Sequence, residues 1–252
     1  KWQTIRRIVM PRALPGIGRE LTPRQELACA FRHLDDVGFC ENLTGHITWQ
    51  LPGETNMLVN PWGLWWSEVK ASDLIVVDPD GQVVEGEWDV TPAIHIHTEL
   101  HRRRHDARVV VHNHPVYASI LAGLGMLPEI VHQNSSMFAD EMVLVTEYEG
   151  EVDDAGLGGD LADRIGDASV ALLVSHGVIV TAPTIDLATY AAANFERCCE
   201  IAYRTMLTGR DPVPIAEANQ KQLKASLVER AAPVYWNGAV RQLLAAEPDV
   251  LD

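Results

Sequence analysis

Short apolar or alternating runs, each bounded by Gly, Pro or Asp, punctuate the first third of the chain and predict strands. They centre on Ile47-Thr48-Trp49, Met57-Leu58-Val59 and Leu74-Ile75-Val76-Val77, and Asp78-Pro79-Asp80-Gly81 turns the last of these into Gln82-Val83-Val84. Similar runs return at Arg108 to Val111, at Met142-Val143-Leu144-Val145, and on either side of Ser175-His176-Gly177, from Val170 to Val174 and from Val178 to Thr181. Between them the spacing changes from two to three or four. Thr22-Pro23-Arg24-Gln25 supplies an N-cap, a proline at the first helical position and a capping-box glutamine; Leu27, Phe31, Leu34 and Val37 follow at helical spacing, and Gly38 stops the run. Thr91-Pro92 opens a second helix reaching about residue 104, and further helices are predicted over 116–124, 157–165 and 184–207.

Strands and helices intermix with no repeat and no long linker, which predicts one α/β domain spanning residues 1–252. Residues 1–20, KWQTIRRIVMPRALPGIGRE, show no clean period and read as an extended arm that packs on the domain or on a neighbouring subunit. Residues 210–252, with Tyr235-Trp236 and Leu243-Leu244, read as a helical extension apolar enough to pack against something.

Composition narrows the function classes. Hydrophobic residues make up 47% and charged residues 22%, so the chain can bury a core. A formal charge of −15 argues against a nucleic-acid groove or an anionic membrane surface. A small anionic substrate remains compatible, since a metal and a few arginines can reverse the sign inside one pocket. The densest basic run, Arg102-Arg103-Arg104, reads as a solvated helix end. Cys29, Cys40, Cys198 and Cys199 lack zinc-knuckle or redox spacing and read as reduced thiols; with no apolar run long enough to span a bilayer, the expected location is the cytoplasm.

The candidate chemistry lies in the histidines. His112 and His114 stand two apart at the end of an apolar run, so in a strand both rings project to one side and can share an ion. His176 sits between two apolar runs, with Gly177 expected to let the backbone turn sharply. Three neutral imidazoles with positions left open suit a catalytic rather than a closed structural metal site. A bland alternative stands beside this one: short histidine motifs arise by chance, and buried histidines are often merely hydrogen-bonded. A rival pair, His97 and His101, is four apart on the second helix and shares one face. His95 and His97 are expected to support the metal ligands or face substrate, and His101 and His105 to lie on the surface.

Gly45-His46-Ile47-Thr48, Asn60-Pro61-Trp62-Gly63, Ser72-Asp73-Leu74, Gly81 through Gly86, Val111-His112-Asn113-His114 and Ser175-His176-Gly177 occur in an order and spacing that resembles the class II aldolase/adducin family. The resemblance implies a three-layer sandwich with a central antiparallel sheet between helices. It also implies one divalent ion on His112, His114 and His176 (zinc first, with iron(II) or manganese as alternatives), and a homotetramer with active sites at subunit boundaries.

Departures from the family pattern carry most of the functional information. Family aldolases hold a glutamate, both metal neighbour and proton-transferring base, four residues before the helix histidine matched here by His97; this chain has Ala93, which can do neither. The aldolase acid tyrosine falls on Gln133. The phosphate-binding positions read His46, Trp62 before Gly63, and Thr91 with Pro92, and neither tryptophan nor proline can supply the donors a phosphate needs. With Trp65 and Trp66 nearby, this favours a flat, aromatic, non-phosphorylated substrate, although a tryptophan taken singly is more often core or interface.

Three functions follow as expectations. The first is metal-assisted C–C cleavage beside a carbonyl or carboxylate, as a decarboxylation, with His46, His97 and His95 as candidate catalytic groups; Gly45-His46 also resembles the family's pyridine-carboxylate decarboxylases. The second is a non-haem iron oxygenase, resembling the branch that converts a prenylated hydroxyphenyl oxo acid to a hydroxybenzoate in aminocoumarin (novobiocin and clorobiocin) biosynthesis. The third is an adducin-like interaction module, ranked last because all three metal histidines are present.

Overall fold

A computed structural model describes residues 14–147 and 150–252. The first helix, α1 (Pro23–Asp36), starts as its sequence dictates: the Thr22 side chain accepts from the Gln25 N–H, and the Gln25 side chain accepts from the Thr22 N–H. Four short strands follow, β1 (His46–Gln50), β2 (Met57–Val59), β3 (Ile75–Val77) and β4 (Val83–Glu85). A single 3-10 turn at Pro92–Ile94 then leads into α2 (His95–Arg103), β5 (Val109–Asn113) and α3 (Val116–Gly123). After β6 (Met142–Val145), α4 (Ala155–Ile165), β7 (Val170–Leu173) and β8 (Gly177–Ala182), the long α5 (Ile185–Leu207) precedes α6 (Glu217–Ser226) and α7 (Ala232–Ala246).

All eight strands join one sheet in the order β4-β3-β2-β1-β5-β8-β7-β6. Every pairing is antiparallel except β6 with β7, so the sheet is mixed where an antiparallel one was expected. The reason lies in connectivity: α4 carries the chain from β6 across a face of the sheet and returns it in the same direction, as a parallel pair requires.

Alternation along β5 divides two cores. Val109 and Val111 pack with Phe31, Phe195, Leu121 and Trp236 from α1, α5, α3 and α7. Val110 turns the other way, onto Ile96 and Leu100 of α2 and Leu161 and Ile165 of α4. The result is the expected sandwich, with α2 and α4 on one side and the larger helical layer on the other.

The C-terminal segment is helical as expected, but it belongs to the main core. Trp236, Val240, Leu243 and Val250 are buried there, Arg32 of α1 binds Glu247 and Asp249, and the Ser72 N–H donates to the Asp252 carbonyl. Its apolar face is therefore used within the domain. Residues 1–13 of the expected arm lie outside the described residues; of the remainder, Ile17 packs on the core and Arg241 of α7 donates to the Pro15 carbonyl at 2.6 Å.

Two residues expected at the surface, Arg104 and His101, are buried. Arg104 is not a solvated helix end: it is buried, paired with Asp106, and donates to the Gly166 and Ala168 carbonyls. His101 is buried as well, because its ring reaches Thr48 on β1.

Candidate metal centre

His46 on β1 and His112 on β5 are directly paired across the sheet, and both rings turn toward the α2 side. His114 follows His112 just beyond the end of β5, and His176 lies in the turn between β7 and β8. That turn places Ser175, not a glycine, at φ +59°, a left-handed conformation costing about 1–2 kcal/mol for an ordinary residue. Gly177 serves another purpose than the one expected of it. A Cβ there would meet His114 Cδ2 at 2.5 Å and the Asn113 carbonyl oxygen at 2.6 Å, so glycine lets the two loops close on each other.

The rings of His112, His114 and His176 stand 4.9–5.1 Å apart, centroid to centroid. One nitrogen of each lies within 4.8 Å of those of the other two, which meets the first requirement for a shared ion. Tautomers are fixed for two of them. His112 Nδ1 donates to the Val178 carbonyl at 3.0 Å, and His114 Nδ1 faces the Glu41 carboxylate at 2.9 Å, leaving both Nε2 atoms as acceptors. His114 Nε2 is buried without a hydrogen-bond partner, a position an ion would satisfy. Burial, aided by the neighbouring imidazoles, holds His112 well below the ordinary histidine range and His176 near 4, so both are neutral donors at neutral pH. The residues present fit a divalent ion.

A cavity of about 460 Å³ opens over this cluster, within the usual range for small-molecule sites. His46, Trp62, Thr91 and Ala93 line it beside the three histidines, with Ser175 and Glu151. Trp62 is 56% exposed and offers a bare aromatic face. The other two tryptophans do not contribute: Trp66 is core, donating to the Gly45 carbonyl, and Trp65 is exposed outside the cavity. No Arg or Lys lines the cavity among the described residues, and Arg102 and Arg103 pair instead with Asp80, Glu99 and Asp163. Among these residues the cavity thus lacks the arginines that could offset an anionic substrate's charge.

The remaining sequence candidates divide. His46 Nδ1 is 2.7 Å from His97 Nε2, and burial, with His114 and His176 nearby, pushes His46 down to about 3. His97 has 0% exposure and lies behind His46, away from the cavity. The rival pair, His97 and His101, is not brought together on an ion: both rings meet the Thr48 hydroxyl, at 2.8 and 2.7 Å. His95 does not face the cavity, because the first turn of α2 aims it toward Gly81 in the β3–β4 turn. Gly63, at φ +95°, shapes the turn after Trp62 without lining the cavity, and Gln133 is exposed on a 3-10 helix away from it. Thr91 does line it, although its hydroxyl also accepts from the Ala93 N–H at 3.3 Å.

Glu41 and Thr48 were missed from the sequence. For Glu41 no signal exists, since it is 73 residues from His114. Thr48 was legible in principle: a strand histidine and threonine two apart, opposite helix histidines four apart, interleave if the two elements face each other.

Comparison with known proteins establishes the family and the fold. The family profile described as Class II Aldolase and Adducin N-terminal domain matches residues 25–203. An adducin-related protein of Schizosaccharomyces pombe is 32% identical over 195 residues, 72% of this chain, which spans only 58% of that protein. Two Streptomyces proteins are each 28% identical. One is Decarboxylase NovR of Streptomyces niveus, with 88% of this chain and 84% of that protein covered. The other is a 4-hydroxy-3-prenylphenylpyruvate oxygenase/4-hydroxy-3-prenylbenzoate synthase of Streptomyces roseochromogenus subsp. oscitans, with 80% and 75% covered. An aldolase II superfamily protein from Pseudomonas syringae superposes with a TM-score of 0.82 at 25% identity, covering 92% of this chain and 98% of that one. The chain belongs to the class II aldolase and adducin family.

Proposed function

We propose that this protein is a metal-dependent lyase that decarboxylates a small, non-phosphorylated aromatic oxo or hydroxy acid. The observation that carries the reading is Ala93 in the cavity wall, at the position where the family's aldolases place their proton-transferring glutamate. Retro-aldol cleavage needs a base to start it. Loss of CO₂ does not, and needs only an acceptor for the electron pair and a proton afterwards.

His112, His114 and His176 would hold the ion, zinc first and iron(II) or manganese as alternatives. When bound, it supplies positive charge that draws electron density toward a carbonyl or enolate oxygen of the substrate. Trp62 offers its face to an aromatic ring, and Thr91 and Ser175 offer neutral polar contacts in a cavity without cationic side chains among the described residues. His46 is the group placed to hand a proton to the carbon that loses CO₂. His95, Gly63 and Gln133 have no part in this reading. A homotetramer is proposed from family membership alone, since the C-terminal apolar face is already buried within the domain. No helix among the described residues is long and apolar enough to cross a membrane, and the cytoplasm is the proposed location.

A second reading rests on the oxygenase relative: iron(II) at the same three histidines, and oxidative decarboxylation of a prenylated hydroxyphenyl oxo acid in aminocoumarin antibiotic biosynthesis. One assay separates the two. Zinc-loaded protein should release CO₂ without oxygen from an aromatic acid whose carbonyl lies β to the carboxylate, so that this oxygen takes the electron pair left on carbon. Ala93→Glu should lower that rate by crowding the ion with a carboxylate. 4-Hydroxy-3-prenylphenylpyruvate, an α-oxo acid, is the companion substrate for the oxidative reading. Release only with iron(II) and oxygen selects the second reading. Turnover of L-fuculose 1-phosphate at about one per second or faster, or a higher native rate in Ala93→Glu, would overturn the decarboxylase reading.

A further inference from the structure

Behind the cavity, buried polar side chains form a continuous file. His46 and Thr48 are two apart on β1 and share the face turned to α2; His97 and His101 are four apart on α2 and share the face turned to β1. The two periods interleave. His46 Nδ1 lies 2.7 Å from His97 Nε2, His97 Nδ1 lies 2.8 Å from Thr48 Oγ1, and Thr48 Oγ1 lies 2.7 Å from His101 Nε2. All four side chains are at most 6% exposed. The inner end, His46, lines the metal cavity. At the outer end, His101 lines a separate cavity of about 370 Å³ with Thr98, His105, Gln50 and Arg108. Simple packing would need only apolar residues in this layer, as around Ile96 and Leu100 next to it.

Hydrogen counting makes the file directional. A neutral imidazole carries one N–H and the threonine hydroxyl one O–H, so pairing the buried Thr48 proton within the file requires Thr48 to donate to one histidine and accept from the other. If Thr48 donates to His97 Nδ1, then His101 Nε2 donates to Thr48, His97 Nε2 donates to His46 Nδ1, and the His46 proton sits on Nε2. If Thr48 donates to His101, every bond reverses and the remaining proton sits on His101 Nδ1. Only these two arrangements make all three bonds with neutral rings and also pair the buried Thr48 O–H; if Thr48 accepted from both rings, its own proton would be left unpaired. They interconvert when one proton leaves at His46 Nε2 and one arrives at His101 Nδ1.

We propose that His46, Thr48, His97 and His101 form a proton relay joining the metal cavity to the second cavity across the α2–β1 interface. Its use rests on the decarboxylase reading: the C–CO₂ bond breaks, its electron pair stays on carbon, CO₂ leaves, and His46 Nε2 gives the proton that completes the new C–H bond. Shifts along the file then pass one proton inward. Its acceptor, His101 Nδ1, is buried and without a hydrogen-bond partner beside the second cavity, so a water entering from that cavity is the source, and the substrate side can stay closed during turnover. Thr48, His97 and His101 are positioning residues that act through His46.

Exchange of the histidine ring protons tests the relay without any substrate. In the zinc-loaded protein, transfer into D₂O is followed by ¹⁵N-edited NMR on the ring N–H signal of the fully buried His97, for the parent, Thr48→Val and His101→Phe. Thr48→Val keeps the β-branched shape of the strand residue and removes only the hydroxyl. A relay predicts exchange slowed at least about tenfold in both variants, with zinc content unchanged. A purely structural file predicts the opposite sign, because removing a buried hydrogen bond loosens its neighbours and speeds exchange. Unchanged or faster exchange in Thr48→Val overturns the relay, whatever the CO₂ assay reports; lack of CO₂ release in the parent counts against the decarboxylase reading, whatever the exchange shows.

Discussion

The two faces of the sheet are built on different principles. Toward α1, α3, α5 and α7 the side chains form one large apolar core, with Phe31, Trp66, Phe138 and Phe195 fully buried among aliphatic residues. Toward α2 and α4 the apolar core is smaller, and beside it the same strands carry His46, Thr48 and His112 against His97 and His101. The first face holds the fold by burial; the second accepts buried polar groups, satisfied mainly by one another, and in exchange brings imidazoles to the edge of a cavity. A single strand serves both, since Val111 and His112 are neighbours in β5 that point opposite ways. Stability and chemistry are thereby separated by one residue of register.

That contrast can be broken on either side. The largest effect is expected on the apolar face: Phe195→Ala should cost about 3–5 kcal/mol of stability in denaturant unfolding, while leaving zinc affinity of the folded protein within a few-fold. A cost below about 1 kcal/mol would mean that this face does not dominate stability.

The polar face should show itself as pH dependence. Burial holds His46 near 3 and His101 near 4, both below the unfolded value of about 6.5. A depressed folded value means that the unfolded chain binds more protons between about pH 6.5 and 4, so stability is complete above 6.5 and falls as pH drops through that window. Each group should contribute a slope of about 1.4 kcal/mol per pH unit, read by unfolding of the metal-free protein. His46→Asn with His101→Gln should make the profile shallower, the remaining slope coming from His97, His112 and His176, which burial also lowers. An unchanged slope would show that the two replaced rings are not held neutral.

The smallest effect concerns Glu41, whose carboxylate accepts from His114 Nδ1. Glu41→Gln should weaken zinc binding about tenfold, near the low end for such supporting groups, with little change in stability. Equal affinity in a competitive chelator titration would reduce Glu41 to a surface residue.

How far the sequence revealed these two faces follows from which interactions are local. Strand positions were legible because alternation and turn residues act over a few residues: β2 and β6 fall where their apolar runs do, and α1 begins at its capping box. The His112/His114 pair was legible for the same reason, while linking it to His176 depended on spacing and on family resemblance. What stayed hidden depends on long-range placement. His101 was expected at the surface, since its partner Thr48 lies 53 residues away, and only the packing of α2 on β1 joins them. His95 was assigned to the pocket from its place at the helix start, yet helical rotation turns it toward Gly81. The parallel β6–β7 pair and the burial of α7 likewise follow from chain crossings that no local pattern encodes.

Both proposed activities require an ion at the three histidines. The direct measurement is elemental analysis of protein purified without chelator, for the parent and for His112→Ala, His114→Ala and His176→Ala, with circular dichroism confirming that each variant is folded. Close to one zinc, iron or manganese per parent chain is expected, with metal largely lost from each variant; full occupancy in any two of the folded variants would contradict the assignment of the three histidines.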